Sequence, residues 1–260
     1  MKTILITGAA GGVGGMIRPI LRADYRLRLT DIRPVSDLAE GEEFVAADLG
    51  DMDALRKVVA GVDGIVHLGG QPREAAWEIV HAANIAGAYN LFEAARLEGV
   101  KRVVFASSNH AMGFYPRAQT IPVDVTVRPD SRYGLSKAFG EALGSLYAYK
   151  YDLGVMSIRI GNVAVEPVND LRQIAIWVSP RDLCQLIRIG LERPGIRHEI
   201  VFGASDNERC WWDNSAAYAL GYKPEDKSEP FAAGVASDGL TGDPKADLNQ
   251  GGAFCTVEIN

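Results

Sequence analysis

The chain has 260 residues and a mass of 28.0 kDa, which suits one large domain or two small ones. Hydrophobic residues make up 47% and charged residues 23%, the composition of a folded globular protein and not of a disordered one. The net charge is −6 and the pI about 5.3. This acidic balance argues against nucleic acid or an anionic membrane as the partner, because both need a dense basic surface.

Neither a targeting segment nor a metal site is expected from the sequence. The first residues, MKTILITGAAGG, lead from a strand-like run into a glycine turn, with no small-residue cleavage site. No apolar run approaches the ~20 residues of a membrane helix. The three cysteines, Cys184, Cys210 and Cys255, form no CxxC pair, which argues against a disulfide framework or a zinc site. We therefore expect a cytoplasmic protein without a metal.

Short β-branched runs alternate with longer amphipathic stretches along most of the chain. The runs predict strands at Thr3–Thr7, Arg26–Thr30, Glu43–Ala47, Gly64–Leu68, Lys101–Ala106, Gly154–Ile160 and His198–Phe202. The stretches predict helices at Val13–Ala23, Trp77–Leu97, Pro129–Lys150 and Pro180–Leu191. Strands that alternate with helices at this spacing, and that are apolar throughout, indicate an α/β fold with a doubly wound parallel sheet.

The alternation weakens after about Gly161, and this change suggests where the chain divides. We predict a nucleotide-binding core over residues 1–160 and a smaller substrate-binding lobe over residues 161–260, packed together as one structural unit. The segment from Lys223 to Asn260 is rich in Gly, Pro and Asp, and we expect it to wrap the surface.

The first predicted strand runs into Thr7-Gly8-Ala9-Ala10-Gly11-Gly12-Val13-Gly14, which opens a predicted helix. Glycines let the backbone approach a pyrophosphate, and a helix N-terminus supplies free N–H groups and a positive dipole end. A tight structural turn is the alternative interpretation. The position between a strand and a helix favours nucleotide binding.

The ends of the next strands carry further cofactor candidates. Asp31 ends the second strand, where an acidic side chain accepts hydrogen bonds from the adenosine ribose and repels a 2′-phosphate. It therefore favours NAD over NADP, and Arg33 nearby partly offsets that repulsion. Asp48-Leu49 and Leu68-Gly69-Gly70 occupy the ends of the third and fourth strands. His67 falls inside its strand, so we interpret it as a packing residue.

A candidate proton-transfer group lies in the segment Tyr133-Gly134-Leu135-Ser136-Lys137. Tyr133 and Lys137 are four residues apart and share one helix face. An ammonium beside a phenol should favour the phenolate and lower the pKa of Tyr133 from its usual ~10. Ser108, at the end of the fifth strand, can hold the reacting oxygen against that phenol. These three residues predict proton transfer next to a nicotinamide.

The motifs TGAAGGVG and YGLSK, with Ser108 upstream of the tyrosine, resemble the extended branch of the short-chain dehydrogenase/reductase superfamily, which has a Rossmann-like fold. Four further stretches are similar to uronate dehydrogenases: ASSNHAMGFYP (Ala106–Pro116), RIGNVAVEP (Arg159–Pro167), GAS with WWDNS (Gly203–Ser205 and Trp211–Ser215), and QGGAF (Gln250–Phe254). The resemblance implies an NAD-dependent oxidation of a free hexuronic acid at C1 to the aldarolactone, by a homo-oligomeric protein.

The resemblance also implies site residues. Tyr133 would be the general base, Lys137 its electrostatic partner and Ser108 the residue that orients the substrate hydroxyl. The cofactor-binding residues would be Gly8, Gly11, Gly12, Val13, Gly14, Asp31, Ile32, Asp48, Leu49, Leu68, Gly69, Gly70, Ser107, Tyr133, Lys137 and Ile160. The substrate-binding residues would be Ser108, Asn109, His110, Tyr133, Asn162 and Arg172. Two positions depart from the family pattern, where Gln71-Pro72-Arg73 and Asn162 replace expected serines.

Several alternatives stay open at this point. An epimerase or dehydratase of nucleotide sugars shares the fold and the Ser/Tyr/Lys set, although a lobe of about 100 residues is small for gripping a nucleotide diphosphate. A catalytically silent NAD sensor would have no need of a proton acceptor. His110 could instead cap a helix or pack, and Arg172 could be a surface cation. Since the net charge is negative, an anionic substrate needs a local cation, either Arg172 or Arg73.

Overall fold

A computed structural model describes residues 1–167, 170–232 and 240–259. Its main sheet consists of β1 (Thr3–Thr7), β2 (Arg26–Thr30), β3 (Glu42–Phe44), β4 (Gly64–His67), β5 (Arg102–Ser108), β6 (Gly154–Ile160) and β9 (His198–Gly203). Within the described ranges the spatial order of these strands is β3-β2-β1-β4-β5-β6-β9, and every neighbouring pair is parallel. A separate parallel pair joins β7 (Asn162–Val163) to β8 (Trp177–Val178). The prediction of a doubly wound α/β fold is confirmed.

Helices cover both faces of the sheet. The α-helices are α1 (Gly12–Leu21), α2 (Met52–Val59), α3 (Trp77–Val80), α4 (Gly87–Leu97), α5 (Arg132–Tyr151), α6 (Leu171–Ala175), α7 (Pro180–Glu192), α8 (Ser215–Ala219), α9 (Glu229–Ala232) and α10 (Pro244–Leu248). A π-helical segment joins α3 to α4 (His81–Ala86), and short 3₁₀ segments lie at Asn109–Met112 and Gly252–Cys255. No helix in the described ranges combines the length and the apolar character needed to cross a bilayer.

Successive side chains of a strand point to opposite faces, so β1 contributes to two cores. Ile4 and Ile6 pack with α1 and α7 on one face, whereas Leu5 packs with α2, α4 and α5 on the other. A third apolar cluster, which includes Ile121, Phe202 and Trp212, supports the later part of the chain. The strand order reverses at β1 and β4, and the cleft at their carboxyl ends is where such sheets bind ligands.

Most predicted elements agree with the structure to within two residues, and the exceptions have local causes. The third strand is only Glu42–Phe44 because it forms the sheet edge and pairs on one side, with β2. Helix α5 begins at Arg132 and not at Pro129, because Ser131 caps it by accepting a hydrogen bond from the Gly134 N–H. Helix α2, capped by Asp51, was not predicted. The span Trp77–Leu97 is helical as predicted, but its middle turn is π-helical.

The division after residue 160 stays a prediction. Strand β9 pairs with β6 in the main sheet, and α7 packs beside α1, so the later segment completes the fold of the earlier one. Part of the segment from Lys223 to Asn260 contributes to the interior, since Gln250 is only 1% exposed. Residues 233–239 and Asn260 lie outside the described residues.

Candidate active site

The turn from β1 to α1 is built from glycines because the backbone is crowded there. Gly8 has a φ of +69°, and a Cβ at this position would lie 2.8 Å from the backbone nitrogen of Gly69. A Cβ at Gly14 would lie 2.6 Å from the carbonyl oxygen of Ala9. No side chain caps α1, whose N-cap residue is Gly11. The N–H groups of its first turn are therefore available to a pyrophosphate.

Asp31 lies beside this turn, at the end of β2. Its carboxylate accepts hydrogen bonds from the backbone nitrogens of Ala10 (3.1 Å) and Arg33 (2.9 Å). The Arg33 guanidinium donates to the Ala10 carbonyl oxygen at 3.0 Å, and its Nε lies 3.8 Å from Asp31 Oδ1. Asp31, predicted to accept hydrogen bonds from the ribose hydroxyls, is thus held beside the glycine turn, with Arg33 next to it.

A cavity of about 1010 Å³ runs from the glycine turn to the end of β5. All of the predicted cofactor-binding residues line it, and so do Ser108 and Asn162. The volume is at the upper end of the roughly 300–1,000 Å³ typical of ligand sites. Asn109, His110 and Arg172 do not line this cavity. The glycine cradle, the uncapped helix and Asp31 together fit a dinucleotide such as NAD.

The predicted catalytic residues meet at the far end of the cavity, where α5 crosses the end of β5. Lys137 Nζ donates a hydrogen bond to the Ala106 carbonyl oxygen at 2.8 Å and lies 5.5 Å from the centroid of the Tyr133 ring. The Ser108 hydroxyl lies beside the Tyr133 phenol, close enough to lower its pKa. His67 is buried in β4, where its Nδ1 lies 2.7 Å from Thr7 Oγ1. Burial lowers the pKa of His67 to about 3, so its ring is neutral. This agrees with the prediction that His67 is a packing residue.

The predicted direction of the Tyr133 pKa shift is wrong. Burial raises the pKa of Tyr133 to about 12; the adjacent Ser108 hydroxyl opposes this rise, and the nearby Asp130 carboxylate adds to it. Burial also lowers the pKa of Lys137 to about 8. Both effects have one cause, since an enclosed site disfavours the charged form of each group. The ammonium of Lys137 is moreover directed at the Ala106 carbonyl.

His110 is held by partners that the sequence did not predict. Its Nδ1 lies 2.7 Å from Oδ2 of Asp130, whose carboxylate is fully buried. Its ring stacks on Phe254 with centroids 3.9 Å apart and meets the edge of the Tyr133 ring at 5.8 Å. The 3₁₀ segment is capped by Ser108, so His110 is not the helix cap considered as an alternative. QGGAF was the sequence signal for Phe254, and no motif indicated Asp130.

Arg172 is the second residue of the short helix α6 and lies in the same cluster. Its Nε donates to the Gln250 carbonyl oxygen at 2.9 Å, while its buried Nη2 has no hydrogen-bond partner among the residues that the structure describes. Burial and the nearby Arg117 lower the pKa of Arg172. A Cβ at Gly252 would lie 2.7 Å from Arg172 Nε, so the segment that carries Phe254 packs directly on this guanidinium. Arg172 is therefore not a free surface cation.

Three predicted site residues have buried nitrogen donors with no hydrogen-bond partner among the described residues: Asn109 Nδ2, Asn162 Nδ2 and Arg172 Nη2. Trp211 Nε1, outside the predicted site, is a fourth such donor. Buried polar groups are nearly always satisfied, so such groups in one region need an explanation. The first three all belong to the predicted substrate-binding set. A ligand rich in hydroxyl and carboxylate oxygens would satisfy them.

The model of the NAD dependent epimerase/dehydratase family matches residues 4–181. The chain belongs to that family. It is 47% identical over 257 residues to the uronate dehydrogenase of Pseudomonas putida, covering 98% of this chain and 96% of the relative. The uronate dehydrogenase of Agrobacterium fabrum is 43% identical, with 98% and 97% covered. The resemblance found in the motifs is therefore confirmed over the full length.

Solved structures of similar enzymes have the same fold as this chain. The glucuronic acid dehydrogenase of Chromohalobacter salexigens has a TM-score of 0.95 at 44% identity, over 99% of this chain and 97% of that one. A tyrosine-to-alanine mutant of the Agrobacterium tumefaciens uronate dehydrogenase, complexed with NAD, has a TM-score of 0.93 at 41% identity, over 100% and 99%. The fold is thus shared with these enzymes along nearly the whole chain.

The geometry around Asp31 predicts the choice of dinucleotide. The dissociation constant of NADP should exceed that of NAD at least tenfold, a difference of about 1.4 kcal/mol, because Asp31 repels a 2′-phosphate. Asp31→Ala should lower the ratio of the NADP to the NAD dissociation constant. Arg33→Ala should raise that ratio, because Arg33 offsets the repulsion of the 2′-phosphate by Asp31. Calorimetric titration of the wild type and both variants measures the three ratios. Equal affinities in the wild type would contradict this interpretation.

Proposed function

We propose that this protein oxidises free hexuronic acids, such as glucuronate and galacturonate, at C1 to the aldarolactone with NAD as oxidant. Relatives named uronate dehydrogenase match nearly the whole chain at 43–47% identity. One observation within the site carries the substrate class: the buried, unpartnered Nη2 of Arg172 lies in the cluster that contains His110 and Phe254. An oriented guanidinium fork suits a carboxylate.

The proposed chemistry is proton transfer from the C1 hydroxyl. Ser108 holds the hydroxyl oxygen, and Tyr133 takes its proton as the C1 carbonyl forms. NAD, when bound, supplies the acceptor for the C1 hydrogen with its electron pair, together with a positive charge near the phenol. Lys137 places its amine 5.5 Å from the centroid of the Tyr133 ring, one helical turn away, and donates to the Ala106 carbonyl oxygen.

The remaining substrate contacts are proposed from the unsatisfied donors. Asn109 and Asn162 would donate their side-chain amide hydrogens to sugar oxygens, and His110 would contact a hydroxyl with the ring nitrogen that does not face Asp130. Arg172 would donate to the carboxylate. One bound hexuronate would give each of these three buried donors an oxygen as its hydrogen-bond partner.

A panel of substrates tests this function against its alternatives. Free uronic acids, the neutral parent sugars, glucose 6-phosphate and nucleotide sugars are each incubated with NAD or NADP, and absorbance of the reduced cofactor is recorded. Turnover confined to uronates supports the proposal. Conversion of a nucleotide sugar without net reduction of NAD would identify an epimerase or dehydratase, and no turnover of any compound would favour a sensor.

We also propose that the protein is cytoplasmic and forms a homo-oligomer. Apolar side chains are exposed on the outer sides of α4 and α5: Tyr89, Leu97, Leu135, Leu146 and Tyr149 are each 45–61% exposed. Leu135, Leu146 and Tyr149 share one face of α5 by helical spacing. Such a patch across two neighbouring helices suits contact with a second copy.

Tyr133→Phe should reduce kcat at least a hundredfold, because general-base catalysis contributes roughly 10²–10⁴. Its NAD affinity should stay close to that of the wild type, since the glycine turn and Asp31 make most of the cofactor contacts. Tyr151→Phe is the matched control, because that tyrosine is 39% exposed on the same helix and lies outside the proposed contact patch. If Tyr133→Phe kept more than a tenth of the wild-type kcat, the general-base assignment would be wrong.

Arg172→Ala should lower kcat/KM for galacturonate at least ~10-fold, because a charge-assisted contact is worth roughly 1.5–3 kcal/mol. The loss for galactose should be much smaller, since galactose has no carboxylate. Arg172→Lys should recover only part of the activity, because an ammonium lacks the two-donor fork. Side-by-side kinetics on both sugars decide the question. Equal losses of kcat/KM on galacturonate and galactose would show that Arg172 has a structural role. Arg73 would then be the candidate that binds the carboxylate.

The oligomer predicts a mass in sedimentation equilibrium that is a multiple of 28.0 kDa. Leu146→Asp, which places a charge in the exposed apolar patch, should lower that mass because burying the unpaired carboxylate is costly. Asp53→Asn, an exposed change on α2, is the control and should leave the mass unchanged. A monomeric wild type would rule out the proposed assembly.

A further inference from the structure

A buried ion pair lies behind the catalytic residues and touches none of the predicted substrate contacts. Arg159 of β6 and Glu141 of α5 form two parallel hydrogen bonds of 2.9 Å, from Nε to Oε1 and from Nη2 to Oε2. Their residues are only 2% and 4% exposed. This is the two-donor geometry in which an arginine and a carboxylate orient each other most strictly.

The same carboxylate also accepts a hydrogen bond from the strand that carries Ser108. Ser107 Oγ donates to Glu141 Oε1 at 2.6 Å, and both groups are buried. Ser107 and Arg159 are register partners in the parallel pair of β5 and β6. Two neighbouring strand residues therefore converge on one carboxylate of the helix above them.

Helix α5 meets the end of β5 through three successive turns of a single face. Tyr133, Lys137 and Glu141 are spaced four residues apart along it. Glu141 accepts a hydrogen bond from Ser107, Lys137 donates to the Ala106 carbonyl oxygen, and the Tyr133 phenol lies beside the Ser108 hydroxyl. The Tyr133–Ser108 pair is the reactive one. The Lys137–Ala106 and Glu141–Ser107 hydrogen bonds determine how the helix lies on the strand.

Arg159 extends the arrangement to the segment that follows Ser108. Its Nη1 lies 2.8 Å from both the Val123 carbonyl oxygen and the sulfur of Met112. Met112 ends the 3₁₀ segment that contains Asn109 and His110. The ion pair thus contacts every part of the chain that brings a residue to the reacting oxygen: β5, α5 and this 3₁₀ segment.

We propose that Ser107, Glu141 and Arg159 are positioning residues, which hold the Ser108 hydroxyl against the Tyr133 phenol through the Ser107–Glu141 hydrogen bond. The proposal rests on the oxidation proposed above. Loss of this bond lets the end of β5 shift against α5, so the Ser108 hydroxyl moves away from the Tyr133 phenol. The dinucleotide contacts at the glycine turn and Asp31 lie at the other end of the cavity and keep their geometry.

The sheet offers a matched control for this hydroxyl. Ser157 lies on β6 opposite Phe105, is 0% exposed, and its Oγ has no hydrogen-bond partner. Ser107→Ala and Ser157→Ala therefore make the same chemical change at buried positions of adjacent strands. Only the first removes a bond to Glu141. A direct change, Glu141→Gln, would leave the Arg159 charge buried without its partner and could prevent folding, so Ser107 is the site to vary.

Ser107→Ala should lower kcat roughly ten-fold to a hundred-fold, the effect of a misplacement of about 1 Å. The dissociation constant of NAD should stay close to that of Ser157→Ala, because the Ser107 hydroxyl, although it lines the cavity, is held by Glu141. The melting temperature should fall further than in Ser157→Ala, because only Ser107→Ala removes a hydrogen bond from a buried carboxylate. The lower-pH side of the kcat/KM profile should move to higher pH, because the nearby Ser108 hydroxyl lowers the pKa of Tyr133. Ser107→Thr, which restores a hydroxyl, should recover most of kcat and the original profile.

A second measurement does not depend on turnover. Ultraviolet difference absorbance of the NAD-loaded protein, with Tyr133→Phe as the reference, follows ionisation of the Tyr133 phenol in each background. Ser107→Ala should raise the pH of that ionisation, and Ser157→Ala should not. If the wild type fails to oxidise uronates, the proposed function fails, and this titration still tests the positioning role.

Two results would overturn the proposal. One is a Ser107→Ala variant with the kcat, the pH profile and the phenol titration of Ser157→Ala, which would make the bond purely structural. The other is a loss confined to NAD affinity, which would assign the Ser107 hydroxyl to the cofactor.

Discussion

The close approach of α5 to the end of β5 is the constraint on which the site depends. Two glycines make it possible: a Cβ at Gly140 would lie 2.1 Å from the Phe105 ring, and one at Gly134 would lie 2.2 Å from the His110 carbonyl oxygen. Any side chain at these positions would push the helix outward. Tyr133 and Lys137 would move with it, away from Ser108. The small residues of this helix therefore matter as much to the chemistry as its tyrosine and lysine do.

The same close approach encloses the reactive groups, and enclosure changes their chemistry. Burial works against both charged forms that the proposed reaction uses, phenolate at Tyr133 and ammonium at Lys137. The buried Asp130 carboxylate adds to the cost of the phenolate, although it also holds His110. In such a site the phenol is held in a fixed position, but it ionises less readily than it would in water. Positive charge close to the phenol then has more effect on Tyr133 than it would have in water.

Local sequence patterns predicted residues that the structure places along one cavity, from the glycine turn to Tyr133 and Lys137. The strand–glycine–helix order, Asp31 at a strand end and the spacing of Tyr133 and Lys137 all depend on neighbours within one βα unit. The patterns did not predict the sign of the Tyr133 pKa shift, because burial depends on the whole fold. They did not predict that Asp130 pairs with His110, or that Ser107 and Glu141 meet, since the contacts of these side chains depend on how the helix and the strand pack. The π-helical turn at His81–Ala86 was missed because its residues have ordinary helical periodicity.

The hydrogen bond between Arg172 and Gln250 bears on the order in which the parts of the site fold during synthesis. Residues from Thr7 to Val163 line the large cavity, whereas Gln250, Gly252 and Phe254 come from the far end of the described chain. A ribosome makes the first group long before the second, and chains begin to fold in that order. The surface that holds a dinucleotide can therefore form while the surface around Arg172 and His110 is still incomplete. In a nascent chain, the proposed dinucleotide surface would then be complete before the proposed substrate surface.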